Sequence, residues 1–309
     1  MSLPSFALRL FVATRPPFLT ISVVGCLIGF AAAQFAGDSV PWAAGLLALV
    51  IAVSAQASAN VINDFCDSRN GSDNCNVERI SPFTGGSRVI QDQWLSESQV
   101  KIYGYAILAL CAACGLWLMA TLNAWELMWI GALGLALAWG YSAAPFKLMS
   151  RGVWGEAAIV ASWALIVIGC SMLSTQTLSW AAIVLGLAFG AMVANILYMN
   201  QIPDISADRA AKKLTLAVIT PTEQLWVWYA VFMLLGYALV VLGVWLRLLP
   251  LYCLACWFAL PLFLSAQRAI LRSPSDRDAM TRGIRTNILA AHVFGLLLAL
   301  GLFISSLGI

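Results

Sequence analysis

An all-α, polytopic membrane protein with nine transmembrane helices around a central cavity is the fold class predicted, on three observations. Hydrophobic residues make up 61% of the 309 residues and charged residues 10%, where a soluble domain carries about 25% charged. Apolar stretches of roughly 20 residues, the length that crosses a bilayer core, recur along the chain. Sixteen of the seventeen Lys and Arg fall on one side of those stretches, with Arg247 alone on the other, and this bias places the N-terminus in the cytoplasm. A mean hydropathy of +0.88 excludes a disordered chain, a coiled coil and a secreted disulfide scaffold. A scattered net charge of +3 is too small for nucleic-acid binding.

The first apolar run, 18–36, follows Arg9 and Arg15. It is too long for a signal-peptide core and no cleavage pattern follows it, so it reads as a span. A second span at 41–62 leads into a long polar stretch, 63–99. Spans at 100–120 and 124–143 come next, then a short connection, 144–152, with Lys147 and Arg151. Spans at 153–174 and 179–200 precede the polar stretch 201–223, and spans at 224–246 and 249–271 precede 272–284. A last span covers 285–308. Six of the eight cysteines lie in apolar runs and read as packing residues. Cys111/Cys114 and Cys253/Cys256 have CxxC spacing without a nearby His or acid, so no metal is expected there. Cys66 and Cys75 lie in a stretch expected to be cytoplasmic and reduced.

The acids share the sidedness of the bases, although the positive-inside bias concerns bases alone. Asn63, Asp64, Asp67 and Asp73 follow the second span, and Asn200, Asp204 and Asp208 follow the sixth. In both places an Asn precedes an Asp by four residues, and the two units stand 137 residues, or four spans, apart. The chain thus reads as one membrane-embedded domain, 1–309, with an internal four-helix repeat (about 18–143 and 153–271) and a ninth helix at 285–308. Repeats of this kind place a shared site at their interface.

Residues four apart share a helix face. Asn63 with Asp67, and Asn200 with Asp204 and Asp208, are therefore expected to face one pocket at the cytoplasmic boundary. Carboxylates in one pocket repel each other unless a cation neutralises them. An all-oxygen set suits Mg²⁺, which accepts substrate phosphates as further ligands. The nearby bases Arg69, Arg79, Arg88, Lys147, Arg151, Arg209 and Lys213 can hold phosphate oxygens. A metal-bound diphosphate whose other half lies among apolar helices describes a polyprenyl diphosphate. Acids that merely pair with neighbouring bases on a solvated loop would leave the two matching Asn-x₃-Asp units unexplained.

Four segments, RPPFL (15–19), NDFCDSRNGSD (63–73), WGYSAAPFKLMSRGVWGE (139–156) and DISAD (204–208) with RAAKKLTLAV (209–218), together resemble the UbiA-type membrane-bound prenyltransferases over nearly the whole chain. The resemblance implies transfer of an isoprenyl chain from a polyprenyl diphosphate to an aromatic small-molecule acceptor, with Mg²⁺ holding the diphosphate. By matching position, Asn63, Asp67, Asp73, Asp204 and Asp208 are implied as the metal-site residues, with Asp64 as a helper. Tyr141, Lys147 and Lys213 are implied at the diphosphate, and Arg79, Arg88, Arg151, Arg209, Asn200 and Glu156 around the substrate. The spacing Asp67-x₅-Asp73, with Gly71 between, resembles the 1,4-dihydroxy-2-naphthoate (menaquinone-type) branch; the 4-hydroxybenzoate branch usually has Asp-x₃-Asp. The segment RISPFTGGSRVI (79–90), and Lys212 where a Gly is expected, depart from the pattern. They leave 4-hydroxybenzoate, homogentisate or a tetrapyrrole open as acceptors.

The chemistry asks for specific groups. Positive charge at the departing diphosphate is expected from Lys147 and Lys213, and a water-poor chamber to protect the allylic cation. Trp139, Tyr141, Trp163 and Tyr198 offer aromatic faces to it, although Trp at membrane boundaries is ordinary. Asp64 and Glu156 are the candidates for taking a ring proton, with Glu156 equally placed to pair with Arg151. Gly85-Gly86 reads as a phosphate-binding nest or a plain turn. Gly131/Gly134, Gly186/Gly190 and Gly295 read as helix-packing glycines, and His292 as a packing histidine. A secondary transporter of an anionic metabolite or lipid is the competing class; it would put its charges at mid-membrane, whereas these acids sit at the rim. The expected location is a bacterial inner membrane, with the site facing the cytoplasm.

Overall fold

In hydrocarbon a backbone must satisfy its own N–H and C=O groups, so apolar runs become helices. The computed structural model describes residues 4–272 and 274–308 and is helical almost throughout. A short helix α1 (Phe6–Ala13), capped by the Ser5 hydroxyl, precedes the first span. Arg15 then turns the chain in the left-handed region, and a tight turn (Pro16–Phe18) leads into α2 (Thr20–Phe35). Helix α3 (Trp42–Asn70) runs well past the expected end of its span, so the first acidic stretch is helical. Gly71, at φ +87°, ends it, and the one-turn α4 (Ser72–Cys75) follows. Then come α5 (Glu97–Leu122), α6 (Met128–Gly140), α7 (Trp154–Thr175) and α8 (Trp180–Gln201). Short elements α9 (Ile205–Ala210) and α10 (Leu216–Ile219) lead to α11 (Leu225–Trp245), α12 (Leu260–Arg272) and α13 (Arg277–Ser306).

Eight described helices are long and apolar enough to cross a membrane, beside nine expected spans. The stretch expected at 124–143 forms the shorter apolar helix Trp125–Gly140, which starts as a 3₁₀ turn at Trp125–Leu127. The chain is also not purely α: β1 (Arg151–Gly152) pairs in parallel with β2 (Leu214–Thr215), tying two connections together at the charged end. Finally, Asn200, Asp204 and Asp208 do not share one helix. Helix α8 ends at Gln201 and Asp204 begins α9, because Pro203 has no N–H to continue the ladder.

The core forms where α8 packs against α7, α11 and α13. Gly186 and Gly190 allow this: a Cβ on either would strike the Ala164 or Val160 backbone. Gly295 is as tightly fitted against Val24 and Phe189. Gly131 and Gly134 behave otherwise, because a Cβ there meets nothing within 4 Å. They are not packing glycines; they face a chamber.

Candidate active site

That chamber, about 590 Å³, is enclosed by α2, α3, α5, α6, α7, α8 and α13. Its charged end is built by both acidic stretches. Asn63, Asp67 and Asp73 line it from one side, and Asn200, Asp204, Asp208 and Lys213 from the other, with Tyr141 and Arg15.

Helical register sets the first group. Asn63 Nδ2 donates to Asp67 Oδ2 across one turn of α3 (3.2 Å) and to Ser142 Oγ (3.1 Å). Asn70 Nδ2 donates to the other Asp67 oxygen (3.0 Å). Lys213 joins the two stretches: its Nζ lies 2.8 Å from Asp67 Oδ2 and 3.5 Å from Asp208 Oδ1. Asp204 is held on both oxygens from the segment after the first motif, by Asn76 Nδ2 (2.7 Å) and the Gly85 N–H (3.1 Å). Asp64 turns from the chamber into an ion pair with Arg15 and a hydrogen bond from the Ser87 hydroxyl. Arg15 also donates to Asn63 Oδ1 at 2.8 Å.

The electrostatics show a site short of positive charge. Burial, with Asp67 and Asp64 nearby, pushes Asp73 up to about 8. Burial likewise pushes Asp208 up to about 7, against the opposing pull of Lys213, and raises Asp204. Burial alone would lower Lys213, but Asp67 and Asp208 outweigh it, so it stays firmly protonated; Arg15 follows the same balance beside Asp64 and Asp73. Burial also holds the Tyr141 hydroxyl protonated. Asp73 Oδ2 and Asn200 Oδ1 are buried and have no hydrogen-bond partner among the described residues. Unpaired hard oxygens among carboxylates that resist ionisation fit a divalent cation such as Mg²⁺. As their side chains stand, no three His, Cys, Asp or Glu among the described residues converge on one point, and Lys213 stands between Asp67 and Asp208.

Several expected residues lie elsewhere. Lys147 is exposed and does not line the chamber. Arg151 donates to the Pro145 carbonyl and Arg209 to that of Val218. Arg88 donates to the Asp73 carbonyl, and Arg79 packs its side chain against Gly85. Glu156, fully buried, accepts from Gln201 Nε2 at 2.7 Å rather than pairing with Arg151. Of the four aromatic candidates, Tyr141 and Trp163 line the chamber. Trp139 donates to Tyr105 and Tyr198 to the Leu225 carbonyl. Sequence reasoning missed Arg15, Asn76 and Ser87 as site-building residues. Only Arg15 left a signal, as a base at the start of the first span on the side of the acids.

A model of the UbiA prenyltransferase family matches residues 22–289. The chain belongs to this family. It is therefore an integral membrane prenyltransferase, and the transporter alternative falls. A 1,4-dihydroxy-2-naphthoate octaprenyltransferase of Mycobacterium leprae (strain TN) is 29% identical over 289 residues, 92% of each chain. Its namesake in Escherichia coli (strain K12) is 29% identical over 299 residues, 94% of each chain. A solved structure of a UbiA homolog from Archaeoglobus fulgidus bound to DMAPP and Mg²⁺ is alike in fold, with a TM-score of 0.58 at 14% identity, covering 94% of this chain and 99% of that one.

Proposed function

We propose that this prenyltransferase moves a polyprenyl chain from its diphosphate onto 1,4-dihydroxy-2-naphthoate, in an Mg²⁺-dependent reaction at the cytoplasmic end of its chamber. The observation that carries this is the meeting of two acidic stretches, 137 residues apart in sequence, around Lys213 at the mouth of an apolar cavity. The naphthoate acceptor is supported by the Asp67-x₅-Asp73 spacing and by the names of the relatives.

Asn63, Asp67, Asp73, Asn200, Asp204 and Asp208 are the oxygen donors that would hold Mg²⁺. When bound, the ion neutralises the diphosphate and makes it a better leaving group. Lys213 and Arg15, already protonated at the rim, place fixed positive charge where the departing oxygen gains negative charge. Asp64, engaged by Arg15 and Ser87, positions Arg15 rather than taking a ring proton. Tyr141, as a protonated hydroxyl, is a donor for a phosphate or acceptor oxygen. The prenyl tail lies along α5 and α6, whose lining residues carry no polar side chain beyond the Cys111 thiol. Gly115, Gly131 and Gly134 leave room there, and an apolar wall keeps water from the allylic cation. Arg79, Arg88, Arg151, Arg209 and Glu156 brace the connections that carry the site, and Lys147 stays outside it.

Purified protein given geranylgeranyl diphosphate, Mg²⁺ and a panel of aromatic acceptors tests this directly. The expected result is a prenylated naphthoquinol by mass spectrometry, with diphosphate released and the acceptor's carboxyl group lost as carbon dioxide from the attacked ring carbon. Turnover of 4-hydroxybenzoate or homogentisate in preference to the naphthoate would move the acceptor, and no turnover of any aromatic would overturn the function. Gly131→Leu is expected to shift the preferred donor toward shorter chains, read as the ratio of kcat/KM for geranyl over geranylgeranyl diphosphate.

A further inference from the structure

Gly85 and Gly86 stand one after the other in the left-handed region, at φ +71° and +72°, where glycine avoids the steric penalty of a Cβ. Both line the chamber at its charged end. The turn they make with Ser87 meets three carboxylates. The Gly85 N–H donates to Asp204 Oδ2 (3.1 Å). The Ser87 N–H donates to Asp64 Oδ2 (3.2 Å), and the Ser87 hydroxyl donates to the same oxygen. Asp73 is met by shape instead. A Cβ on Gly86 would overlap Asp73 Oδ2 and lie 3.1 Å from Asp64 Oδ1, so a bare Cα leaves both carboxylates where they are.

Backbone N–H groups in such a turn make an anion cradle. Here the N–H groups of Gly85 and Ser87 are taken by the protein's own carboxylates, one from each acidic stretch. The segment that carries the turn is fixed from outside the chamber. Arg277, at the start of α13, donates to the Glu78 and Arg79 carbonyls (3.2 and 2.7 Å), and the Thr84 hydroxyl accepts from the Ile80 N–H (2.9 Å). Asn76, where the segment begins, gives Asp204 its other hydrogen bond (2.7 Å). Among the described residues Asp73 Oδ2, the oxygen that Gly86 makes room for, has no hydrogen-bond partner, although Asp73 is buried and lines the chamber.

We propose that the Gly85-Gly86-Ser87 turn is a positioning element that sets the site's affinity for divalent cations. It holds Asp204 by an N–H and keeps Asp73 Oδ2 clear, so that a carboxylate from each acidic stretch stands ready at the chamber's charged end. Gly86 acts through Asp73 and touches no substrate. Groups that orient a metal ligand without binding the metal commonly tune its affinity in this way. The assignment rests on the Mg²⁺-dependent function proposed above and adds which backbone feature governs the metal requirement.

Two measurements on the full-length protein provide the test: the Mg²⁺ concentration giving half-maximal turnover, and the rise in Tm caused by Mg²⁺ with inorganic diphosphate, without donor or acceptor. Gly86→Ala is expected to raise the first by about 10–100-fold, the scale for losing a group that orients a metal ligand, and to shrink the second, because bound ligand stabilises by mass action. Gly37→Ala is the control. Gly37 is also left-handed (φ +92°), but a Cβ there meets nothing within 4 Å, so it imposes backbone strain alone and should leave the Mg²⁺ requirement within about twofold of wild type. An unmoved Mg²⁺ requirement in Gly86→Ala, or an equal rise in Gly37→Ala, overturns the assignment while wild-type turnover still stands. Wild-type turnover that needs no divalent cation, or no turnover at all, instead removes the function on which it rests. Should Gly86→Ala fail to fold, Asn76→Ala decides, because it loosens Asp204 without straining the turn; an unmoved Mg²⁺ requirement there overturns the assignment too.

Discussion

The two acidic stretches reach the same rim by different means. Asp67 rides on an unbroken helix, one turn from Asn63, and its place is set by backbone register. Asp204 lies after the end of α8, where no register carries over. Its place is set instead by Asn76 and the Gly85 N–H, both from the connection that follows the first stretch. One half of the site is thus built by secondary structure and the other half is held by it, with Lys213 as the shared counter-charge. A perturbation of the first stretch should therefore propagate to the second, and the reverse much less.

Removing what both halves are proposed to serve should have the largest effect. Chelation of divalent cations with EDTA is expected to abolish turnover, and added Mg²⁺ to restore it; turnover that persists under chelation would refute a shared metal role. Asp67→Asn comes next, because it removes a proposed ligand and the closest partner of Lys213. It is expected to lower kcat by about 10³-fold, the scale for losing a preorganised charge-stabilising group, measured as released diphosphate. Asn76→Ala sharpens the contrast by loosening only the second half. A hydrogen bond to a charged group is worth about 1.5–3 kcal/mol, so a loss of roughly tenfold or more in kcat/KM for the prenyl diphosphate is expected. An unchanged value would mean that Asp204 is placed by something other than Asn76. Arg209→Gln should have the smallest effect, a change in kcat of less than about twofold, since exposed charges contribute little and, among the described residues, the Arg209 side chain hydrogen-bonds only the Val218 carbonyl.

How much of this was legible in the sequence varies residue by residue. The Asn63–Asp67 contact was, because i,i+4 spacing on a helix is a local property. The length of α3 was underestimated: counting apolar residues ended it at 62, while Gly71, a residue type that favours the left-handed turn after a helix, marked its true end at Asn70. The break before Asp204 was also written in the chain, as Pro203, but the matching Asn-x₃-Asp pattern suggested a second continuous face. The bases were the least legible. Composition predicted cations near the acids, yet Arg15 and Lys213 reach them while Lys147 and Arg209 do not. A long side chain's direction depends on what surrounds its backbone. For glycines the signal was ambiguous in kind, since Gly186 and Gly131 sit in similar apolar runs, one pressed against a neighbouring helix and the other facing open space.

Residue order alone makes the chain a helical membrane protein, assigns the charge to one end of its helices, and repeats acids and amides at two matching places. Each follows from hydropathy, residue count or helical spacing, which act over one or two turns. Packing of the folded chain sets Lys213 between Asp67 and Asp208 and brings Asn76 and Gly85 to Asp204. Except for Lys213 and Asp208, five residues apart, these partners lie more than a hundred residues apart in the chain, and packing, not spacing, sets which of them meet.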